Sequence, residues 1–169
     1  TNFYNVFANK LFSNFSGNLI KKYPKYFEDL KRSVGLANLR IFFNVVRNLN
    51  LVKKIIFFGS GAEYDKSRPL KLISEEEFDK KVPSDNYGLY KYICSKYIEC
   101  EPSRRIISLR LFGTYGKYDN YLVRFVTNSI LKNIFHQPIN INQNVYFDYL
   151  FIEDLIPIID YFLSNPPHL

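Results

Sequence analysis

VKKIIFFGSGAEYD, residues 52–65, holds the key to the kind of sheet this chain builds. Residues 55–58 are four apolar side chains in succession, entered from Lys53-Lys54 and stopped by Gly59-Ser60-Gly61. A strand with one wet face alternates apolar and polar residues. An unbroken short apolar run instead suits a strand buried on both faces, as in a parallel sheet covered by helices. Upstream, Leu36, Leu39, Phe42, Phe43, Val46 and Leu49 recur at helical spacing, and the pattern predicts a helix ending near Asn50. Residues 1–35 give only a weak helical signal, punctuated by Pro24 and Gly35. Downstream, residues 62–86 read as a polar loop broken by Pro69, Pro83 and Asp85-Asn86, followed by a helix over about residues 87–99. IISLRLF (106–112), ended by Gly113, is a second buried-strand candidate. Beyond it the pattern predicts a helix over about 121–133, a short strand at 138–141, strand or extended chain at 145–151, and a helix at 153–163 with Pro157 and Asp154 in its first turns. Helices alternating with buried strands define an α/β architecture.

The rest of the composition narrows the class. A chain of 169 residues can bury one sizeable core. No apolar run approaches the roughly 18 residues of a membrane span. Two cysteines, Cys94 and Cys100, do not make a disulfide framework. Six apart on a helix, they face different directions, and buried thiols are expected. No signal-peptide pattern opens the chain. The expectation is a soluble, reduced, cytoplasmic protein. The formal net charge is +7, but the basic pairs Lys21-Lys22, Lys53-Lys54, Lys80-Lys81 and Arg104-Arg105 are scattered and interleaved with acids such as residues 75–77. That dispersal argues against a nucleic-acid partner and leaves a mild attraction for small anions such as nucleotide phosphates. His136 and His168 are isolated, so no metal site is expected. The chain opens on Thr1 and contains no Met, which raises the expectation of a fragment or a processed product.

Three segments carry chemistry: GSGAEYD (59–65), DNYGLYK (85–91) and SLRLFGTYG (108–116). Ligands of open parallel sheets bind beyond the carboxyl ends of the strands, which sets the Ser60 hydroxyl at the edge of a site. Tyr87 and Lys91 are four apart at a helix start and share a face. An ammonium beside a phenol stabilises the phenolate, so such a Tyr can exchange a proton with a hydroxyl while hydride leaves the same carbon. The spacing alone is weak, since chance supplies about one Tyr-x-x-x-Lys in a chain this rich in both residues. Two occur, the second being Tyr92 and Lys96, inside the helix and read as an ordinary helical contact. Tyr87 differs in following the turn at 83–86 and opening the helix.

In family order, VKKIIFFGSGAEYD, PSDNYGLYKYICSKYIE, IISLRLFGTYGKY and PININQNVYFDYLFIEDL resemble the extended short-chain dehydrogenase/reductases, the NAD(P)-dependent epimerase/dehydratase group acting mainly on nucleotide sugars. The resemblance spans about residues 36–163 and implies a Rossmann-like sheet. It implies Ser60, Tyr87 and Lys91 as the catalytic set, with Lys91 also on the nicotinamide ribose. Asn38 matches a helix Asn that holds a relay water, though a solvated helix Asn fits equally, and Phe112 matches a position whose backbone lies near the nicotinamide carboxamide. Ser60, Gly61, Gly113 and Phe147 fall at substrate-facing positions. The departures are Gly113 where many members carry Asn, Phe147 where many carry an Arg that pairs with the diphosphate, and Asp65 for a Gly. Losing a bidentate phosphate fork weakens the case for a nucleotide diphosphate. Gly61-Ala62 stand where dehydratases carry Asp-Glu, with Glu63 one residue late, so epimerisation or reduction is favoured over dehydration.

The family's opening strand and G-x-x-G-x-x-G turn have no counterpart among the seven glycines. The expectation is therefore an N-terminally truncated piece whose NAD or NADP site is incomplete. Residues 1–115 would belong to the cofactor-binding domain and 116–169 to an interleaved substrate-binding region. The resemblance also implies a homodimer through the helices near 37–50 and 88–100. A non-catalytic binding or regulatory fragment of the same fold is the alternative.

Overall fold

The computed structural model describes residues 34–67 and 70–165; the readings for residues 1–33, for Pro69 and for His168 lie outside them. Helix α1, Val34–Arg47, turns Leu39, Phe42 and Val46 inward on one stripe and passes into a short 3-10 turn, Leu49–Leu51. Strand β1, Ile55–Ser60, lies parallel to β2, Ile106–Leu111, in a register running from Ile55 opposite Ile106 to Ser60 opposite Leu111. Between them runs α2, Asn86–Cys100, so β1, α2 and β2 form the crossover that parallel pairing requires. Asp85 starts that helix, its carboxylate accepting the Gly88 N–H at 2.8 Å.

The core lies where α1 and α2 meet the β1–β2 pair. Leu39, Phe42, Val46, Leu49, Leu89, Tyr92, Ile93, Cys94 and Ile106 are buried together there, with Tyr64 and Phe78 from the loop after β1. Phe42 sets its ring edge-on to Phe43, Phe57 and Tyr97, with centroids 5.0 to 5.9 Å apart, the arrangement that aromatic quadrupoles favour.

A second parallel pair follows: β3, Gly113–Tyr115, runs beside β4, Tyr149–Phe151. Helix α3, Phe125–Ile134, lies between them in sequence, and a 3-10 turn, Ile152–Asp154, leads into α4, Leu155–Ser164. Burial thins sharply here: α3 has no buried residue and α4 only Leu155. Lys54, at the entrance to β1, donates from Nζ to the carbonyls of Phe162, Leu163 and Asn165. A cation there satisfies carbonyls that the end of α4 leaves open.

The parallel α/β expectation holds, with local differences. No strand forms at 138–141, and at 145–151 only the last three residues pair. Helix α3 starts at Phe125 rather than 121, because the Asn120 side chain accepts the Leu122 N–H and its carbonyl the Arg124 N–H, closing a turn instead. Strand β1 is less enclosed than its composition suggests. Phe58 is 43% exposed, and β2 is the strand paired with β1 among the described residues. Cys94 is buried as expected, whereas Cys100, at the last position of α2, is exposed.

Candidate active site

Residues 59–65, which end β1 and turn away from it, are all buried. The turn Gly61–Glu63 is capped by Ser60, whose Oγ accepts the Ala62 N–H at 3.2 Å. That bond occupies acceptor capacity on the hydroxyl and leaves its proton to donate elsewhere. The first turn of α2 presses against this loop. A Cβ on Gly88 would overlap the Ala62 carbonyl oxygen and lie 2.8 Å from Pro83 Cβ, so only glycine allows the approach. The close joint carries Tyr87 alongside the loop that carries Ser60.

An open cleft of about 1230 Å³ lies at the carboxyl end of the β1–β2 pair. Its walls include Ser60, Gly61, Tyr87, Lys91, Phe112 and Phe147, so six of the eight residues singled out from sequence share one cavity. Ser60 sits at the buried end, 8% exposed, and Tyr87 at the rim, 49% exposed. The Tyr87 ring stands edge-on to Tyr90 at 5.2 Å. Burial, then the neighbouring Tyr87 and Cys94, pushes the Tyr90 phenol up to about 12, which keeps that neighbour neutral. Lys91 donates from Nζ to the carbonyl of Phe58, next to the strand end, and lies 4.8 Å from the centre of the Phe57 ring. One of its three N–H groups is thereby used and two remain. The Phe112 ring packs against Gly61, where a Cβ would clash with it, and stacks at 6.3 Å on Tyr64.

Two expected residues do not reach the cavity. Asn38 lies on α1 and does not line it; Gly113 lies between two that do, Phe112 and Thr114. The lack of a side chain at Gly113 serves packing, since a Cβ would come within 2.6 Å of the Phe147 ring, and its N–H donates to the Asp148 carbonyl at 3.1 Å. Other wall residues were not anticipated: Lys66, Lys71, Arg124 and Tyr146. Their sole sequence signal was a place in the segments between regular elements, where function gathers. Among the described residues no group of three or more His, Cys, Asp or Glu could hold a metal ion, and no helix is long and apolar enough to cross a membrane.

Comparison with known proteins follows the same line. Residues 20–168 match the NAD dependent epimerase/dehydratase family, so the chain belongs to that family. The structure superposes, with a TM-score of 0.57, on a GDP-D-glycero-L-gluco-heptose synthase from Campylobacter jejuni crystallised in the presence of NADPH. The two are 19% identical, and the overlap covers 76% of this chain and 51% of that one. At that identity the likeness shows the Rossmann-like α/β fold, and this chain spans about half of its neighbour's length. No curated protein matches the sequence.

Proposed function

Taking that family membership as the premise, we propose that this chain carries the catalytic centre of an NAD(P)-dependent epimerase or reductase acting on a sugar or nucleotide sugar. The observation that carries the reading is the convergence of Ser60, Tyr87 and Lys91 on one cleft at the strand ends. The cleft suits the nicotinamide end of the cofactor. Lys91 has two N–H groups left for ribose hydroxyls, and Phe112 offers an apolar wall and a strand-end backbone. No G-x-x-G-x-x-G turn occurs in the sequence to hold the pyrophosphate end. When bound, the nicotinamide supplies the acceptor or donor of hydride at the reacting carbon.

The chain's own residues handle the proton. Tyr87 takes the hydroxyl proton of a carbinol as its C–H is oxidised, and returns a proton to the carbonyl oxygen when the reaction runs backwards. Ser60, its Oγ already accepting from Ala62, donates its proton to that same oxygen and holds it in line. Lys91, one turn further along the same helix, adds positive charge to the same cleft.

The cleft wall also supports an anionic substrate although Phe147 stands where a phosphate-binding Arg was expected. Lys66, Lys71 and Arg124 supply cations from other segments, and Tyr146 and Phe147 offer aromatic faces on which a nucleobase can stack. The test is turnover of nucleotide sugars by the intact protein, followed by nicotinamide absorbance and fluorescence. Tyr87→Phe is expected to lower the rate by about 10²-fold or more. Undiminished turnover in that variant, or no binding of reduced nicotinamide by the intact protein, would leave the non-catalytic binding role.

A further inference from the structure

The most deeply buried charge in the described structure takes no part in the chemistry above. Glu63 has no solvent exposure and does not line the cleft. Its Oε1 accepts the backbone N–H of Ser60 at 2.8 Å, and its Oε2 accepts from Arg110 Nε at 2.9 Å. Arg110 lies on β2 directly across from Gly59. A Cβ on Gly59 would come 2.5 Å from Glu63 Oε1, so the strand end is shaped around the carboxylate. The guanidinium is itself held on three more sides, by the face of Phe78 at 4.2 Å, by Glu75 at 3.3 Å and by Glu99 at 3.4 Å. Burial works to lower the Arg110 pKa, but the bond and charge of Glu63 overcome it and raise the net value.

An ion pair taken out of water is a weak source of stability, because desolvation offsets most of its attraction. Its geometry is what it contributes. Ser60 is gripped twice in the same cap: its N–H is fixed by Glu63, and its Oγ is fixed by the Ala62 N–H. With both bonds made, the backbone and the side chain of Ser60 have little freedom, and the hydroxyl proton is left for the cleft. We propose that Glu63, anchored by Arg110, is a positioning residue that sets Ser60 as a hydrogen-bond donor to the reacting oxygen of the substrate. This rests on the role given to Ser60 above. It also accounts for a fully buried Glu in the Ser60 turn that does not line the cleft.

The test is a double-mutant cycle on the intact protein, comparing wild type, Glu63→Gln, Ser60→Ala and the double variant. Amide hydrogen exchange is measured alongside turnover. Glu63→Gln should speed exchange of the Ser60 amide at least about tenfold relative to the Leu109 amide in β2. It should lower kcat about tenfold with KM changed less than about twofold, and lower kcat no further once residue 60 is alanine. Equal losses in both backgrounds, or unchanged exchange at Ser60, overturn the positioning role while leaving the proposed function intact. If Ser60→Ala and Tyr87→Phe both leave turnover unchanged, the proposed function falls instead, and the exchange ratio still decides whether Glu63 clamps residue 60. Should Glu63→Gln fail to fold, Arg110→Lys, which keeps the charge and loses the Nε contact, gives the same exchange readout.

Discussion

Helix α2 carries two Tyr-x-x-x-Lys pairs, Tyr87 with Lys91 and Tyr92 with Lys96, offset by five residues. Five residues rotate a side chain by about 140° around a helix, enough to move from one face to nearly the other. Tyr92 is 1% exposed, and its hydroxyl donates to the Asp79 carboxylate, which Lys96 also bridges at 2.7 Å. Asp79 sits at φ 67°, in the left-handed region that Asp tolerates better than most residues, and so turns its carboxylate toward both partners. Tyr87 and Lys91 instead face the cleft, and Lys91 binds a strand-end carbonyl rather than an acid. The spacing guarantees adjacency. What each pair can do is decided by whether its face of the helix meets the core or a cavity.

That contrast breaks first on turnover. Tyr87→Phe should lose about 10²- to 10⁴-fold in hydride transfer with its melting temperature unmoved, while Tyr92→Phe stays within about threefold of wild type. A matching loss in Tyr92→Phe would mean the two faces do not separate the roles. Stability should show the reverse order. Tyr92→Ala, emptying a fully buried site, is expected to lose about 3–5 kcal/mol in urea unfolding, against less than about 1 kcal/mol for Tyr87→Ala at the rim. A smaller effect belongs to the acid that organises the buried pair. Burial alone would raise the Asp79 pKa, but the hydrogen bonds from Lys96 and Tyr92 hold it below the usual carboxylate range. Its folded value is lower than its unfolded one, so its contribution is present above about pH 4 and fades as pH falls through the folded value. Asp79→Asn should therefore be less stable than wild type at neutral pH, with the gap closing in acid unfolding curves. The least perturbing test is thiol labelling along the same helix. Cys94 is 1% exposed, and burial pushes its thiol well above the ordinary range, whereas Cys100 is exposed. An alkylating reagent should label Cys100 in the folded protein and Cys94 only after unfolding.

The first half of the described chain was the more legible in sequence, for a physical reason. In α1 and α2 most of the apolar residues that set the pattern meet in the core, with Ile106 of β2 and the half-buried Ile55 and Phe57 of β1 against them, so periodicity and burial largely tell one story. From Gly113 onward that agreement lapses. Leu122, Val123, Ile139 and Ile141 are apolar yet exposed, and they suggested a longer helix and a strand that are not formed. Pairing of Gly113–Tyr115 with Tyr149–Phe151 depends on a distant partner that no local window contains. At the candidate site, Ser60, Tyr87 and Lys91 were singled out through their order along the chain and line one cleft, whereas the burial of Glu63 was missed. Two signals stood in the sequence: the S-x-x-E spacing of a capping box, Ser60 to Glu63, and a lone Arg within the apolar run of β2.

The contact at Gly88 gives this helix a consequence of its own. Where α2 abuts the Ala62 carbonyl there is no slack, and one extra methyl would act as a chock under the near end of a rod some 22 Å long. Prising that end up would part the phenol from the hydroxyl and, by leverage, shift the seat of Tyr92 against Phe78 as well. Gly88→Ala is thus the smallest alteration expected to disturb both faces of the helix at once.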